Sequence, residues 1–531
     1  MEKIKPDAVV LQDLQDLQDL IKLNAPDGFI KHSNIENSNI GNSNIEHSDF
    51  GTFIDSLMIV SLDDTDSNEG MCTTYLASKL IDLLDSENFC VLVGNPYLIR
   101  LNPSIPYKTR GNAAICIVFK MNSPDCFDKI VSVSKEFISK NSEIECDKTN
   151  PGVVFIPGSR FFELKKPLHD FYKKAQKEVA EISGAFSIIE KYEISSFYMK
   201  LGRGLIGALA ASGAALNGLS DKTYELLAYR FQENFKTARK IDSDSFFEAD
   251  KYTYPHTWDT VDYFGKSKKM VVSVPNSPDP VLFGIRGESP DWVLKASKYI
   301  KSEPFEHYRI FITNQGTDMH LIDFTKDSEN DFSKLKDIHS YKIKGIVDSK
   351  PETIEGGHVF FKIKNKSKNK SKNKSKSELE SENESESKNE SSQKIKIDCA
   401  AYEPTGNFRN IIRKLIPGDE IEVYGSFKNN TFNIEKIDLK KLSEDIVFKN
   451  PVCPKCFKTM ESAGKNQGFR CKNCKTKSNE KISQSKPRSI EPGIYEVPPS
   501  ARRHLSKPLI RCLNKTTDDA ENSKKNIHPS R

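Results

Sequence analysis

A multidomain α+β protein is predicted, with an α/β-type domain followed by a ferredoxin-like domain, an OB-fold barrel and a zinc ribbon. Three observations carry that prediction. Apolar strands alternate with helical stretches from residue 58 to about residue 335, five short strands with one intervening helix follow over 341–438, and two Cys-x2-Cys pairs complete the series. Mixed strand and helix periodicities imply layered α and β elements around shared cores, and 531 residues exceed what one core organises.

Residues 1–52 open with LQDLQDLQDL and NSNIENSNIGNSNIEHSD. Such polar periodic text has too little apolar surface to offset the entropy of ordering, so a disordered low-complexity extension is expected. Residues 53–199 form the first domain, with strands IVSL, AAICIVF and GVVFIP and helices over 127–140 and 167–182. Its strand at 58–62 empties into Asp63, Asp64 and Asp66, then into a turn with Ser67, Thr73 and Thr74 before a helix over 74–84. Clustered aspartates offer Mg²⁺ the oxygen ligands it prefers, and the N–H groups at a helix start favour a neighbouring phosphate. The same residues also suit plain helix capping.

A second run, LIRLNPSIPYKTRGNAAICIVF, interleaves Arg100, Lys108 and Arg110 with Asn102, Thr109 and Asn112. Pro103 and Pro106 hold this loop extended, and Gly111 permits close backbone approach. Arginine forks and a lysine point charge suit phosphate. The two runs are therefore expected as opposite walls of one site, carboxylates facing cations.

In residues 200–335 the run GRGLIGALAASGAAL comes first; Gly202, Gly204 and Gly207 with Ala208, Ala210 and Ala211 mark close helix packing, a phosphate cradle being the alternative. YELLAYRFQENF, a strand at MVVSVP, a helix over 290–300 and YRIFITNQGTDMHL complete a ferredoxin-like layer. Residues 340–440 read as the OB-fold: YKIKGIVD, HVFFKIK, IKIDCAAYEP, EIEVYGSF and TFNIEKIDL, with a helix over 408–415 before the last pair. Such a barrel binds single-stranded nucleic acid through aromatics and cations. Phe360, Phe361, Tyr402 and Phe408 are candidates for stacking, and Lys362, Arg409 and Arg413 for phosphate. The Lys/Asn/Ser and Glu/Ser blocks of 365–394 lie between the second and third of these strands and read as a disordered hairpin insertion.

Residues 450–480 carry Cys453, Cys456, Cys471 and Cys474, four thiolates spaced for a closed, structural Zn²⁺ site. Arg470 is among several cations around them that suit RNA. Residues 481–531 are expected as a C-terminal tail, with His504 exposed in it and able to meet a phosphate. The balance of 79 basic against 74 acidic residues excludes a blanket basic surface. The remaining seven of eleven cysteines show no disulfide framework and read as thiols of a cytoplasmic protein. No stretch reaches the roughly 20 apolar residues of a membrane span, and composition leaves oligomeric state open.

DDTDSNEGMCTTYL followed by RLNPSIPYKTRGNAA resembles the archaeal tRNA 2-agmatinylcytidine synthetases. The similarity resumes at GRGLIGALAASGA, YRFQENFKTARKID, NQGTDMHL, the cysteine pairs and EPGIYEVPPSARRHLSKPLIR, covering most of residues 55–511. The resemblance implies an enzyme that uses ATP to activate the 2-oxo group of the wobble cytidine in the CAU-anticodon isoleucine tRNA. Agmatine is then attached there, so that AUA is decoded. On this reading Asp63, Asp64 and Asp66 hold Mg²⁺, and Ser67, Thr74, Lys108, Arg110 and Asn112 meet ATP phosphates. Thr73 matches a threonine that the family implies can be phosphorylated. Agmatine needs carboxylates, for which Asp318 and Asp221 or Glu225 are candidates, and Lys362, Tyr402, Arg409 and Arg470 are candidates for RNA. Two rivals make separate predictions. A non-catalytic single-strand-binding protein would consume no nucleotide, and an ATP-dependent kinase or ligase on another RNA would yield a different product.

Overall fold

A computed structural model of the protein describes residues 47–109, 111–263, 269–326, 330–365, 395–464, 467–513 and 526–531. The expectations for residues 1–46, for Arg110 and for 366–394 lie outside the described residues.

The main sheet has ten strands. Six come from the first half: β1 (Leu57–Asp63), β2 (Cys90–Leu92), β3 (Tyr97–Arg100), β4 (Ala113–Met121), β5 (Gly152–Pro157) and β6 (Ser195–Tyr198). Four follow, β7 (Thr223–Arg230), β8 (Thr257–Trp258), β9 (Val281–Gly287) and β10 (Phe305–Thr313). They lie in the order β6-β5-β1-β4-β3-β10-β7-β9-β8, with β2 on β4. The strands of the second domain therefore continue the sheet of the first. β10 pairs antiparallel with β7 and parallel with β3, Ile312 opposite Tyr97, so one sheet runs through the boundary expected at 199/200.

β1 opens with four consecutive apolar residues, Leu57 to Val60, because both faces of the sheet are covered. Met58, Val60 and Leu62 point into a core with α2 (Thr73–Ser86) and α3 (Cys126–Asn141). Leu57 and Ile59 point the other way, into a core shared by α4 (Phe161–Lys177), α5 (Ile182–Lys191), α6 (Gly204–Asn217), α7 (Ser243–Thr253) and α8 (Pro290–Ser297). By strand alternation Ser61 and Asp63 share that second face. Ser212 on α6 donates to Ser61 Oγ at 2.8 Å.

Three local expectations change. Residues 47–55 form helix α1 (His47–Asp55), so the extension expected through residue 52 stops earlier; Phe53 and Ile54 break the polar text, and Ile54 is buried. The helix expected over 167–182 is α4, ending at Lys177, because its apolar face already begins at Phe161 and Leu164 and continues through Leu168, Phe171 and Tyr172. Pro167 lies within it. The strand at MVVSVP is limited to Met270–Val271.

Beyond residue 335, β11 (His339–Val347), β12 (Val359–Lys364), β13 (Lys396–Ala401), β14 (Glu420–Lys428) and β15 (Thr431–Lys441) close in the cycle β11-β12-β13-β15-β14-β11. A closed five-stranded barrel with α9 (Phe408–Ile412) before β14 is the OB arrangement. Lys364 pairs with Lys396, so strands flank the insertion as a hairpin would. Phe361 and Phe408 are core residues and cannot stack on a base. Tyr402 keeps 37 % exposure beside Phe360 and His358. A two-stranded stalk, β16 (Asp445–Lys449) with β17 (Ile482–Lys486), carries the ribbon. The segment after it is no loose tail. β18 (Gly493–Glu496) pairs with β15, and the chain then returns to the main sheet.

Candidate active site

Where β1 ends, three carboxylates open onto a cavity of about 720 Å³. Asp63, Asp64, Asp66, Thr73 and Thr74 line one wall; Arg100, Lys108, Gly111 and Asn112 line another. The two sequence runs thus face one space, within the size range of small-molecule sites. Asp64 adopts a left-handed φ of 58° and accepts from Asn150 N at 3.2 Å. Asp63 accepts from Asp64 N at 2.7 Å. Thr73 Oγ1 lies 3.0 Å from Thr65 Oγ1. Ser67 is buried in the turn, accepting from Glu69 N, and does not line the cavity.

α6 explains how Asp63 is held. A β-carbon at Gly207 would lie 1.9 Å from Asp63 Oδ2, and one at Gly204 2.4 Å from Asp63 O. The small residues of GRGLIGALAASGA thus pack closely, and what they pack against is the site itself. Burial, reinforced by Asp64, raises the Asp63 pKa well above the carboxylate range, and burial with Asp66 brings Asp64 up to about 7. Arg203 opposes this at Asp64. Oxygen donors crowded out of water are what a divalent cation stabilises, although among the described residues only the cysteine group brings its ligand atoms all within 4.8 Å of one another.

The opposite wall is cationic. Burial and nearby Arg503, Lys428 and Arg100 push Lys108 down to about 8. Asn112, with φ 48°, donates to Asn102 O at 2.8 Å and locks the loop across its base. Glu225 and Arg286 are direct cross-strand partners on β7 and β9, 3.0 Å apart, and Arg100 stands 3.9 Å from Glu225. Burial disfavours the charged Glu225, but Arg286 and Arg100 outweigh it and hold its pKa below normal.

Asp221 and Asp318, expected near agmatine, do not line the cavity. Asp221 pairs with Lys507 at 3.0 Å and Arg511 at 2.9 Å, while Asp318 pairs with Lys436 and accepts from Lys507 N. Both lash the C-terminal segment to the main body. Carboxylates that do line the cavity include Glu225, Asp259 and Asp279. Sequence reading missed Arg203, Asp259, Asp279, Arg286 and Arg502, all cavity-lining. A signal existed for one: Arg286 is a charge inside the otherwise apolar strand VLFGIRG. His504, expected exposed, is half-buried in the wall, because the segment carrying it folds back over the sheet.

The ribbon thiols converge. Cys453, Cys456, Cys471 and Cys474 place their Sγ atoms within 4.8 Å of one another, a group with metal-ligand geometry. Both knuckles make the same turn: Cys453 N donates to Lys458 O and Cys471 N to Thr476 O, both at 2.9 Å, with left-handed Phe457 and Lys475 in matching places. Elsewhere, Lys362 pairs with Asp398 across β12 and β13, and Arg409 donates to Gly357 O beside Glu403. Arg470 is exposed on the ribbon. Among the described residues no helix is long and apolar enough to cross a membrane.

Family models match the chain in three places: the TiaS TCKD domain over residues 59–201, the TiaS FLD domain over 202–320 and the TiaS C-terminal zinc ribbon domain over 450–490. The isoleucine-tRNA 2-agmatinylcytidine synthetase TiaS of Methanosarcina mazei is 47% identical over 456 residues, 86% of this chain and 97% of its own. That of Archaeoglobus fulgidus is 46% identical over 452 residues, 85% and 97% respectively. The crystal structure of TiaS in complex with its isoleucine tRNA and ATP is similar with a TM-score of 0.74 at 43% identity, covering 90% of this chain and 100% of that one. A complex of TiaS with the same tRNA, AMPCPP and agmatine matches with a TM-score of 0.73 at 41% identity and the same coverage.

Proposed function

The chain belongs to the family of isoleucine-tRNA 2-agmatinylcytidine synthetases, and from that premise we propose how its residues divide the reaction. The activity is ATP-dependent ligation of agmatine to the wobble cytidine of the CAU anticodon of the isoleucine tRNA. The 2-oxo group of cytosine is a poor leaving group. Phosphoryl transfer from ATP converts it to a phosphate ester, and the agmatine amine then forms the new C–N bond as the C–O bond breaks and phosphate leaves.

The observation that carries the assignment is that the carboxylate turn after β1 and the basic loop after β3 face one cavity. Asp63, Asp64 and Asp66 would hold Mg²⁺, which when bound offsets the charge of the phosphoryl oxygens. Arg100 and Lys108 stabilise the charge that develops on the transferred group, and Asn112 keeps their loop in place. Thr73, buried against Thr65 yet lining the cavity, presents a hydroxyl beside the same oxygens. The guanidinium of agmatine would meet the carboxylates that line the cavity and not Asp221 or Asp318. Four converging thiolates suit structural Zn²⁺, and the ribbon and barrel supply surface for the tRNA, with Tyr402 and Arg470 exposed there.

The test uses the full chain with a transcript of the CAU-anticodon isoleucine tRNA, ATP and agmatine, followed by mass spectrometry of the digested nucleosides. The expected product is 2-agmatinylcytidine in the wild type and none in Asp64→Asn, which keeps shape and removes a charge. Full activity in that variant refutes the metal assignment, and absence of product in the wild type refutes the whole reading.

A further inference from the structure

The EPGIYEVPPSARRHLSKPLIR run is a sequence motif that the reaction scheme leaves without a role, and the fold takes it to the cavity. After β18 the chain is sewn down almost residue by residue. Ser500 donates to Asp262 at 2.5 Å, and Arg502 is buried against Asp259 and Glu496. The carbonyls of His504 and Leu505 accept from Gly316 N and Asp318 N, both at 2.8 Å. Arg511 pairs with Glu288 at 2.6 Å. With its backbone fixed on both sides, His504 presents its ring to the cavity wall.

Its two nitrogens have different surroundings. Nδ1 lies 2.6 Å from Arg286 Nη2. A guanidinium has only donors, so Nδ1 accepts and the proton is on Nε2. Nε2 faces Gly111 of the basic loop, where an added β-carbon would lie 3.2 Å from it and 2.1 Å from Arg100 Nη1. The missing side chain at Gly111 therefore lets Arg100 Nη1 pack against the loop backbone next to the imidazole, and both side chains line the cavity. Arg100 Nε is also buried without an acceptor among the described residues. One carboxylate, Glu225, serves both Arg100 and Arg286, and Lys108 donates to the Pro103 carbonyl. The group therefore has donors and positive charge in excess.

We propose that His504 is a substrate-contacting residue: a neutral imidazole, oriented by Arg286, whose Nε2–H joins Arg100 in binding a phosphoryl oxygen in the cavity that both side chains line. Burial, with Arg100, Arg286 and Lys108 around it, keeps the ring unprotonated, as this role requires. The C-terminal segment then completes the site in addition to bracing the fold. The oxygen belongs either to ATP or to the RNA backbone at the reacting cytidine. This inference rests on the cavity being the ATP-dependent site.

The test compares His504→Asn and His504→Gln in the full, zinc-loaded chain. Asn retains an acceptor at the position of Nδ1 and lacks the outer donor, whereas the longer Gln amide reaches the position of Nε2. A lost hydrogen bond to a charged oxygen corresponds to about a 10- to 100-fold weakening. His504→Asn is expected to raise KM by that factor, and His504→Gln to recover most of it, with melting temperatures unchanged. A rise for ATP alone assigns the oxygen to the nucleotide, and a rise for tRNA alone assigns it to the RNA. Wild-type KM values for both substrates in His504→Asn, or equal impairment in both variants, overturn the proposal. Should both variants fail to fold, Gly111→Ala builds a methyl group from the opposite wall onto the same two donors, and wild-type KM values there overturn it too. Wild-type turnover checked in parallel separates this failure from failure of the cavity assignment.

Discussion

Replacing Gly207 by alanine tests whether α6 positions the Asp63 carboxylate proposed to act in catalysis. The added methyl would stand 1.9 Å from Asp63 Oδ2, 2.6 Å from its Cγ and 2.8 Å from its Cβ. All three separations fall below van der Waals contact, and the side chain involved is short and anchored by Asp64 N. Either the carboxylate swings into the cavity or α6 lifts from β1. Overpacking of this kind costs about 1–3 kcal/mol, and displacing a reacting group by about 1 Å costs on the order of 100-fold in rate. Alanine also gains roughly 1 kcal/mol of helix propensity over glycine, so the net stability change should be small while the activity loss is large. Gly184→Ala is the control, since its methyl would meet only Phe171 Cε2 at 3.9 Å; it should keep activity and gain up to about 1 kcal/mol of stability. Calorimetry reports stability and nucleoside mass spectrometry reports turnover. Wild-type turnover in Gly207→Ala would refute the claim that this glycine makes room for Asp63.

Cys471→Ser should abolish zinc binding and unfold only the ribbon, whose small core of Cys453, Met460, Phe469 and Cys471 is separate from the others; co-unfolding of the main body, or retained metal, would contradict this. His320 is buried with neither ring nitrogen bonded among the described residues, and burial pushes it down from 6.5 to about 3. The unfolded chain takes up this proton as pH falls below 6.5 and the native chain does not, so this contribution to stability is complete above 6.5 and is lost progressively toward pH 3. Between pH 7 and pH 5 the loss is about 2 kcal/mol, read from urea midpoints. His320→Leu should remove that much of the pH dependence, and an unchanged slope would show that the ring is protonated in the fold.

What the sequence determined by itself is what short-range chemistry decides. Cys-x2-Cys pairs can close on themselves within a turn, and the two knuckles place their thiols together as the spacing implies. An apolar strand that runs into DDTD and a hydroxyl-rich helix start specifies its own turn, so Asp63, Asp64 and Thr73 were legible as a group. The order of five short strands around one helix was enough for the OB-fold, because that order leaves few ways to close a barrel.

Only tertiary structure decided which charges meet. Asp221 and Asp318 have the composition an agmatine pocket requires, yet Lys507, Arg511 and Lys436, far away in the chain, neutralise them first. Glu225 and Arg286 face the cavity because β7 and β9 pair in one register, and nothing local to either residue encodes that register. The continuation of one sheet across two domains depends on β10 finding the open edge of β3. His504 changes from a surface residue in a tail to a half-buried residue in a wall for the same reason: a long-range strand, β18 on β15, returns its segment to the sheet. A pairwise ion contact or a sheet edge gains free energy only when both partners arrive, and for those partners the sequence separation is too large for local pattern to report.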